Sequence, residues 1–336
     1  MAYQNVGTPR FYVDNHLFLS ANGVTPTNVG EIYNLSPGSH SVSFDILDWY
    51  YFAADTGGES NAGLVYGYIA VFGHNFADLG DTFRFYPDPG IPVINITNTV
   101  NYHQQGSMSY NGWSLIAFDK TDVEATIWAG LLPAPDDPLN LKISSLSIGT
   151  HYTMPHSPDL NLTMTREYGG IKTIETKGGA SLSNAFYTKP AMWGDAGAWE
   201  LYSGTPTNQE LSRSGRRVWD LSFSYLQDSD VWGANQMMSS FSEYTTKGNI
   251  NIGYESGDVD GANNLFDDNI LTSDDFYSQV IHKTNGGQLP FIFQPDKNDN
   301  NPGSGFAICK FDMKSFKFDQ VANGVYNVKL KIREVC

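Results

Sequence analysis

Few residues of this 336-residue chain stand where their types could do chemistry. Gly73-His74-Asn75 follows the apolar run at residues 64–72. That puts an imidazole at a strand end, where it can serve as a base, a ligand or a contact to a bound sugar, or can hydrogen-bond the turn. No second His or Cys lies at ligand spacing from His74. His151 and His156 are five apart around Pro155, so they share no helical face and form no metal pair. Two runs, Asp258-Val259-Asp260-Gly261 and Asp296-Lys297-Asn298-Asp299-Asn300, read like the start of a calcium loop. Such a loop needs Gly at its sixth position and Glu at its twelfth. The chain has Asn263 and Asn269 there in the first case, and Asn301 and Ala307 in the second. Both runs are therefore read as surface turns, which favour the same residues.

Hydrolytic chemistry fares no better. A glycosidase needs two carboxylates facing each other across a cleft, and 36 acidic residues guarantee pairs by chance. No Gly-x-Ser-x-Gly elbow and no Walker loop is present, and the Gly-Gly pairs at 169–170 and 178–179 are isolated turn signals. Trp113, Trp128 and Trp193 can stack on sugar rings or fill a core. Arg216-Arg217, at the entry to a strongly alternating strand, can grip a carboxylate of a neighbouring subunit or lie solvated. No enzyme activity, cofactor or metal is expected.

The elements that must carry these residues are mostly strands. Gly and Pro are scattered through short alternating runs, the pattern of many strands joined by turns. In the first half these runs fall at 10–13, 17–19, 41–52, 64–72, 81–86, 114–118, 123–129 and 141–148. The series is that of a β-sandwich. A Pro-containing seam near 155–158 leads into a second series at 171–176, 218–226, 249–254, 289–294, 306–311 and the terminal strand. Trp219, Leu221, Phe223 and Tyr225 alternate with Asp220, Ser222 and Ser224. Tyr326, Val328, Leu330 and Ile332 alternate with Asn327, Lys329, Lys331 and Arg333. Residues 272–282 break the period of two: capping residues, early acids and apolar pairs four apart predict a helix closed by Asn285-Gly286. Residues 229–241 suggest a second helix. The fold class expected is mainly β, with two domains at 1–160 and 161–336.

A net charge of −16 argues against direct nucleic-acid binding and against docking on anionic lipid. No window is apolar enough for membrane insertion, and no signal peptide of the usual kind is visible. Cys309 and Cys336 make no disulfide framework, which fits folding in a reducing cytoplasm, with one core thiol and one at the tail.

Three stretches in order, Tyr-Gly-Tyr-Ile-Ala-Val-Phe-Gly-His-Asn (66–75), Asn-Gly-Trp-Ser-Leu (111–115) and Lys-Ile-Ser-Ser-Leu-Ser-Ile-Gly (142–149), resemble the N-terminal module of structural tail proteins of tailed phages. That module resembles a galactose-binding-like jelly roll. Arg166-Glu-Tyr-Gly-Gly, the stretch 214–225 and the closing Gly-Val-Tyr-Asn-Val-Lys-Leu-Lys-Ile-Arg-Glu-Val are similar to tail-tip and baseplate proteins of the distal-tail kind. The resemblance covers roughly residues 60–336. It departs from the family in order, since the ring-forming domain of typical distal-tail proteins is N-terminal. It implies an α+β tail-tube-like sandwich with a flanking helix after the jelly roll. It also implies a structural virion protein, assembled in the host cytoplasm, that forms a trimeric or hexameric ring. Its expected partners are itself and the tail tube and hub proteins. Arg216, Arg217, Lys329, Lys331 and Arg333 are the expected interface residues, and an acidic surface suits a conduit that DNA must pass without sticking. The alternative is an adhesin whose first domain binds a host surface glycan through His74, Asn75 and Trp113.

Overall fold

Strict alternation decides where the longest strands form. A residue run with every second side chain apolar can bury one face of a pleated strand and leave the other wet. Residues 325–334 do this over their whole length and residues 219–223 do so in the middle of the strand at 216–227, and the two strands pair antiparallel with Leu221 opposite Leu330 and Trp219 opposite Ile332.

The computed structural model describes residues 6–23, 43–45, 67–74, 82–86, 112–118, 128–132, 145–167, 171–185, 216–232, 274–299 and 305–335. In chain order these give β1 (Arg10–Asp14), α1 (Asn15–Ala21), β2 (Ser43–Asp45), β3 (Gly67–His74), β4 (Thr82–Tyr86), β5 (Gly112–Phe118), β6 (Trp128–Leu132) and β7 (Ser145–Thr153). There follow β8 (Thr163–Glu167), β9 (Ile171–Glu175), β10 (Ser181–Ala185), β11 (Arg216–Gln227), α2 (Asp228–Val231) and a π-helix over Tyr277–His282. The chain closes with β12 (Phe291–Gln294), β13 (Ala307–Phe311), β14 (Phe318–Ala322) and β15 (Val325–Glu334). The protein is mainly β, as its composition and periodicity indicate.

Ten strands form one sheet in the order β5-β3-β7-β1-β12-β13-β15-β11-β8, with β14 also on β15. Every pairing in it is antiparallel. The boundary expected at residue 160 does not divide this sheet. Strand β1 is hydrogen-bonded on one side to β7, which precedes the boundary, and on the other to β12, which lies far beyond it. Strands β2, β6 and β4 make a separate three-stranded sheet, and β9 and β10 a hairpin.

The central strands are buried on both faces. Phe11 and Val13 of β1 join one core cluster with Phe291, Phe293, Trp219, Leu221, Phe223 and the inward residues of β15. Tyr12, between them, joins a second cluster with Tyr68, Ala70, Leu115 and Ile292. Phe11 sits among Phe276, Phe291, Phe293 and Phe311 at centroid distances of 5.2 to 6.1 Å. Trp219 on β11 and Phe293 on β12 are three ladder steps apart, about 14 Å in a flat sheet. Their rings nevertheless meet at 5.2 Å. The sheet therefore curls around the first cluster, and the π-helix packs Phe276, Val280 and Ile281 into it.

The helix expected at 272–282 is present as a π-helix. The Asp275 carboxylate accepts the Ser278 N–H at 2.8 Å, an N-terminal cap, and the stop at Asn285-Gly286 is made by two residues at positive φ. The expected second helix is only the four residues of α2 within the described part. The short apolar run 17–19 lies in α1. Strands β6 and β7 overlap the ends of the runs at 123–129 and 141–148 that pointed to them, and residues 123–127 and 141–144 lie outside the described residues. The expected strand at 249–254, Asn75, Trp193, residues 258–261 and Cys336 lie outside the described residues.

Candidate functional site

The β11–β15 ladder holds four of the five cations expected at an interface, Arg217, Lys329, Lys331 and Arg333, with Arg216 at its rim, and it uses its two faces differently. On the inner face, Arg217 lies directly beneath Trp219, with its guanidinium carbon 5.1 Å from the indole centroid. The Arg217 guanidinium donates to the Glu334 carboxylate from Nη2 at 2.9 Å and from Nε at 3.2 Å, and Nη2 also donates to the Phe306 carbonyl at 2.6 Å. The Arg217 backbone N–H completes the clasp to Glu334 at 2.6 Å. The two side chains are 5% and 1% exposed. Arg217 is therefore not an intersubunit grip. It pins the end of β15 to β11 and to the start of β13, because a buried charge is stable only when paired and hydrogen-bonded. Cys309 lies in the same region, and burial pushes its thiol well above the usual range, so it is an inert core residue as expected.

On the outer face the cations are mostly engaged within the chain. Arg333 pairs with Glu167 of β8, and Lys331 meets Asp312 at 3.3 Å. Arg216 is half-buried, opposite Glu167 in the register. Lys329, exposed and opposite Ser222, has no ion pair among the described residues. Of the five expected interface cations, Lys329 is the one that is exposed and has no carboxylate partner among the described residues.

At one end of this face β11 carries a bulge. Phe223 pairs with Val328 and Leu226 with Tyr326, so Ser224 and Tyr225 together oppose Asn327. Tyr225 takes the left-handed conformation at φ 64° and is 74% exposed. Beside it the segment before β8 runs along β11: the Asp159 N–H donates to the Ser222 carbonyl, Ser224 Oγ donates to Asp159 Oδ2, and Ser222 Oγ donates to Asn161 Oδ1.

The sugar contacts expected in the first part are only partly placed. His74 ends β3 and pairs with Gly112 across an irregularity in register, and Trp113 pairs with Phe72. The backbone thus sets the two on neighbouring strands β3 and β5, two register positions apart. Their side chains and Asn75 lie outside the described residues. His151 is a core residue whose ring is 5.6 Å from that of Tyr12, and His156 Nδ1 lies 2.8 Å from the Ser157 carbonyl. Asp296 shapes its own turn, accepting the Asn298 N–H at 3.0 Å. No group of three metal-ligating side chains occurs among the described residues.

Sequence reasoning missed a buried polar cluster where α1, β7 and the π-helix meet. The Lys283 amine, buried, donates to Gln279 Oε1 at 2.7 Å and to Thr150 Oγ1 at 3.1 Å. Thr150 in turn donates to Asn15 Oδ1. Two acceptors match the two N–H bonds of a neutral amine and leave the third N–H of an ammonium without an acceptor among the described residues. Burial pushes Lys283 down to about 7, against the opposing pull of Asp274 and Asp275. Burial also raises Asp275 to about 6, against the hydrogen bond from Ser278. The available signal was the helical spacing that puts Gln279 and Lys283 one turn apart.

The hairpin of β9 and β10 was half visible from sequence. Its turn holds Gly178 and Gly179, the latter at φ 83°. Ile174 lies directly opposite Leu182, and both are exposed, at 63% and 61%.

Comparison with protein-family models, with curated proteins and with solved structures finds no match to this chain.

Proposed function

We propose that this chain is a structural component of a phage tail tip or baseplate, a ring of three or six copies that links the tail tube to more distal proteins. The observation that supports this most is the β9–β10 hairpin. It stands outside both larger sheets, and all of its described positions from Thr173 to Leu182 are exposed except the half-buried Thr176. An isolated two-stranded hairpin is marginal in water, and this one displays a cross-strand Ile174–Leu182 pair to solvent. Its two lysines and one glutamate give it a net positive charge within a chain of net charge −16. A hairpin of that chemistry is suited to seat on an acidic surface of a neighbouring copy. The contact is head-to-tail, so it closes into a ring when the rotation permits. The finer organisation that goes with this reading is a jelly-roll-like first part and a tail-tube-like second part joined through one sheet. The virion would be its place of residence, with assembly in the host cytoplasm.

The substitution pair Ile174→Asp and Leu182→Asp tests the arm. The proposal expects the double variant to keep its melting temperature and to lose self-association in light scattering. An unchanged mass distribution would remove the hairpin as the contact.

A further inference from the structure

The outer face of β11 carries a second, separate feature: a bulky residue in a conformation that favours glycine. The left-handed region costs a non-glycine residue roughly 1–2 kcal/mol. A β-bulge with one residue in that conformation is usually made with Gly. Here the residue is Tyr225, at φ 64°, and its ring fills no core, being 74% exposed. Packing does not account for a tyrosine at this position.

Its surroundings are organised. The Tyr225 N–H donates to Asn327 Oδ1 at 3.1 Å, which fixes that amide and leaves its NH2 group to face outward chemistry. Asn161 Oδ1 accepts from Ser222 Oγ at 2.7 Å, which fixes a second amide in the same way. Asp159 Oδ2 accepts from Ser224 Oγ at 2.8 Å, leaving Oδ1 as an oriented acceptor. With Tyr225 on β11 between them, Asn327 on β15 and Asn161 and Asp159 on the segment before β8 span three adjacent segments of one sheet face, about 10 Å across. Together they make an exposed aromatic ring flanked by two oriented amide donors and one carboxylate acceptor. A pyranose offers the complement, an apolar C–H face for stacking and an edge of hydroxyl groups that donate and accept.

We infer that Tyr225, Asn161, Asp159 and Asn327 form a carbohydrate-binding platform on the outer face of β11. This site is distinct from the loops around His74 and Trp113 and does not depend on ring formation. A single stacking residue gives weak binding per copy, and several copies in one assembly would raise it through avidity.

The test uses the full chain on an array printed with bacterial surface polysaccharides and their short oligosaccharide fragments, followed by titration of the best soluble oligosaccharide. The wild type is expected to bind. Tyr225→Gly is expected to lose roughly three- to tenfold in affinity, the worth of one aromatic contact, while its melting temperature stays level or rises. Tyr225→Trp should keep binding, and Asn161→Ala should weaken it. Because the glycine variant relieves strain, its loss cannot come from misfolding. The platform is overturned if the wild type binds no sugar at millimolar concentration, or if the glycine variant binds as well as the wild type. It is equally overturned if Tyr225→Gly abolishes self-association while no sugar binds, since the patch is then a contact between copies. The self-association reading fails separately, by a wild type that stays monomeric.

Discussion

Arg217 and Lys283 are both cations buried inside the fold, and the protein treats them in opposite ways. Arg217 is met by a carboxylate in two-pronged geometry and by a backbone carbonyl. Lys283 is met by an amide oxygen and a hydroxyl, with no carboxylate in hydrogen-bond contact among the described residues. A guanidinium cannot shed its charge, so its site must supply a counter-charge. An amine can, so its site can be merely polar and titrate instead. The first arrangement is a fixed clasp, and the second makes the fold sensitive to pH.

The largest effect should come from breaking the clasp. Glu334→Ala leaves the Arg217 charge buried alone, and urea unfolding should show a loss of about 3–5 kcal/mol. Replacing both partners by Met should recover most of that loss. A single-variant cost below about 1 kcal/mol would show that water reaches the guanidinium and that the clasp is not a buried pair.

Next in size is the pH dependence set by Lys283. The folded amine titrates near 7 and the unfolded one near its ordinary 10.5. Between those values the unfolded chain holds more protons, so stability rises with pH across that window. Asp275, raised from 3.8 to about 6, works the other way: the folded chain holds more protons between those values, and stability falls as pH rises through them. The two together predict a shallow minimum between about pH 6 and 7. His282, lowered by burial and by Lys283, adds a small rise with pH in the same sense as Lys283. In Lys283→Met the upper limb should disappear, and the variant should gain most over the wild type below pH 7. Melting curves from pH 5 to 10 check this, and a parallel shift of the two proteins at every pH would contradict it.

A smaller change sharpens the contrast between inner and outer faces. Tyr225→Gly should raise stability by roughly 1 kcal/mol by removing left-handed strain, whereas a loss would mean that the ring packs on something. Smallest of all is the exposed pair Lys331–Asp312. Lys331→Ala should cost no more than about 1 kcal/mol and lose even that at high salt.

What the sequence made legible follows the range of the forces involved. Strands β11 and β15 were readable because each buries one face, and a period of two records that locally. The helix near residue 276 was readable from its capping acid and its Asn-Gly stop, though its π character was not, since Phe276 and Val280 have the same spacing in either helix. Strand β1 shows only the short run Arg-Phe-Tyr-Val, and nothing local says that it will sit between β7 and β12. That long-range pairing is what joins the two expected halves. Arg217 was assigned to a partner because its counter-charge, Glu334, lies 117 positions away. The strand β10, Ser-Leu-Ser-Asn-Ala, and the strand β8, Thr-Met-Thr-Arg-Glu, carry too few apolar residues to announce themselves. Ser181 and Leu182 of β10 and Thr163 to Thr165 of β8 are exposed, which accounts for that composition.

With Arg217 held inside, and Lys331 and Arg333 paired to acids of the same chain, the assembly reading rests on the exposed hairpin and Lys329 rather than on a row of open cations. The most direct test is the mass of the purified wild-type protein, by light scattering over a concentration series, with negative-stain images of the same samples and its neighbouring tail proteins added in parallel. The account predicts a discrete species of three or six copies with a central opening. A strict monomer at every concentration, with and without those neighbours, would contradict it.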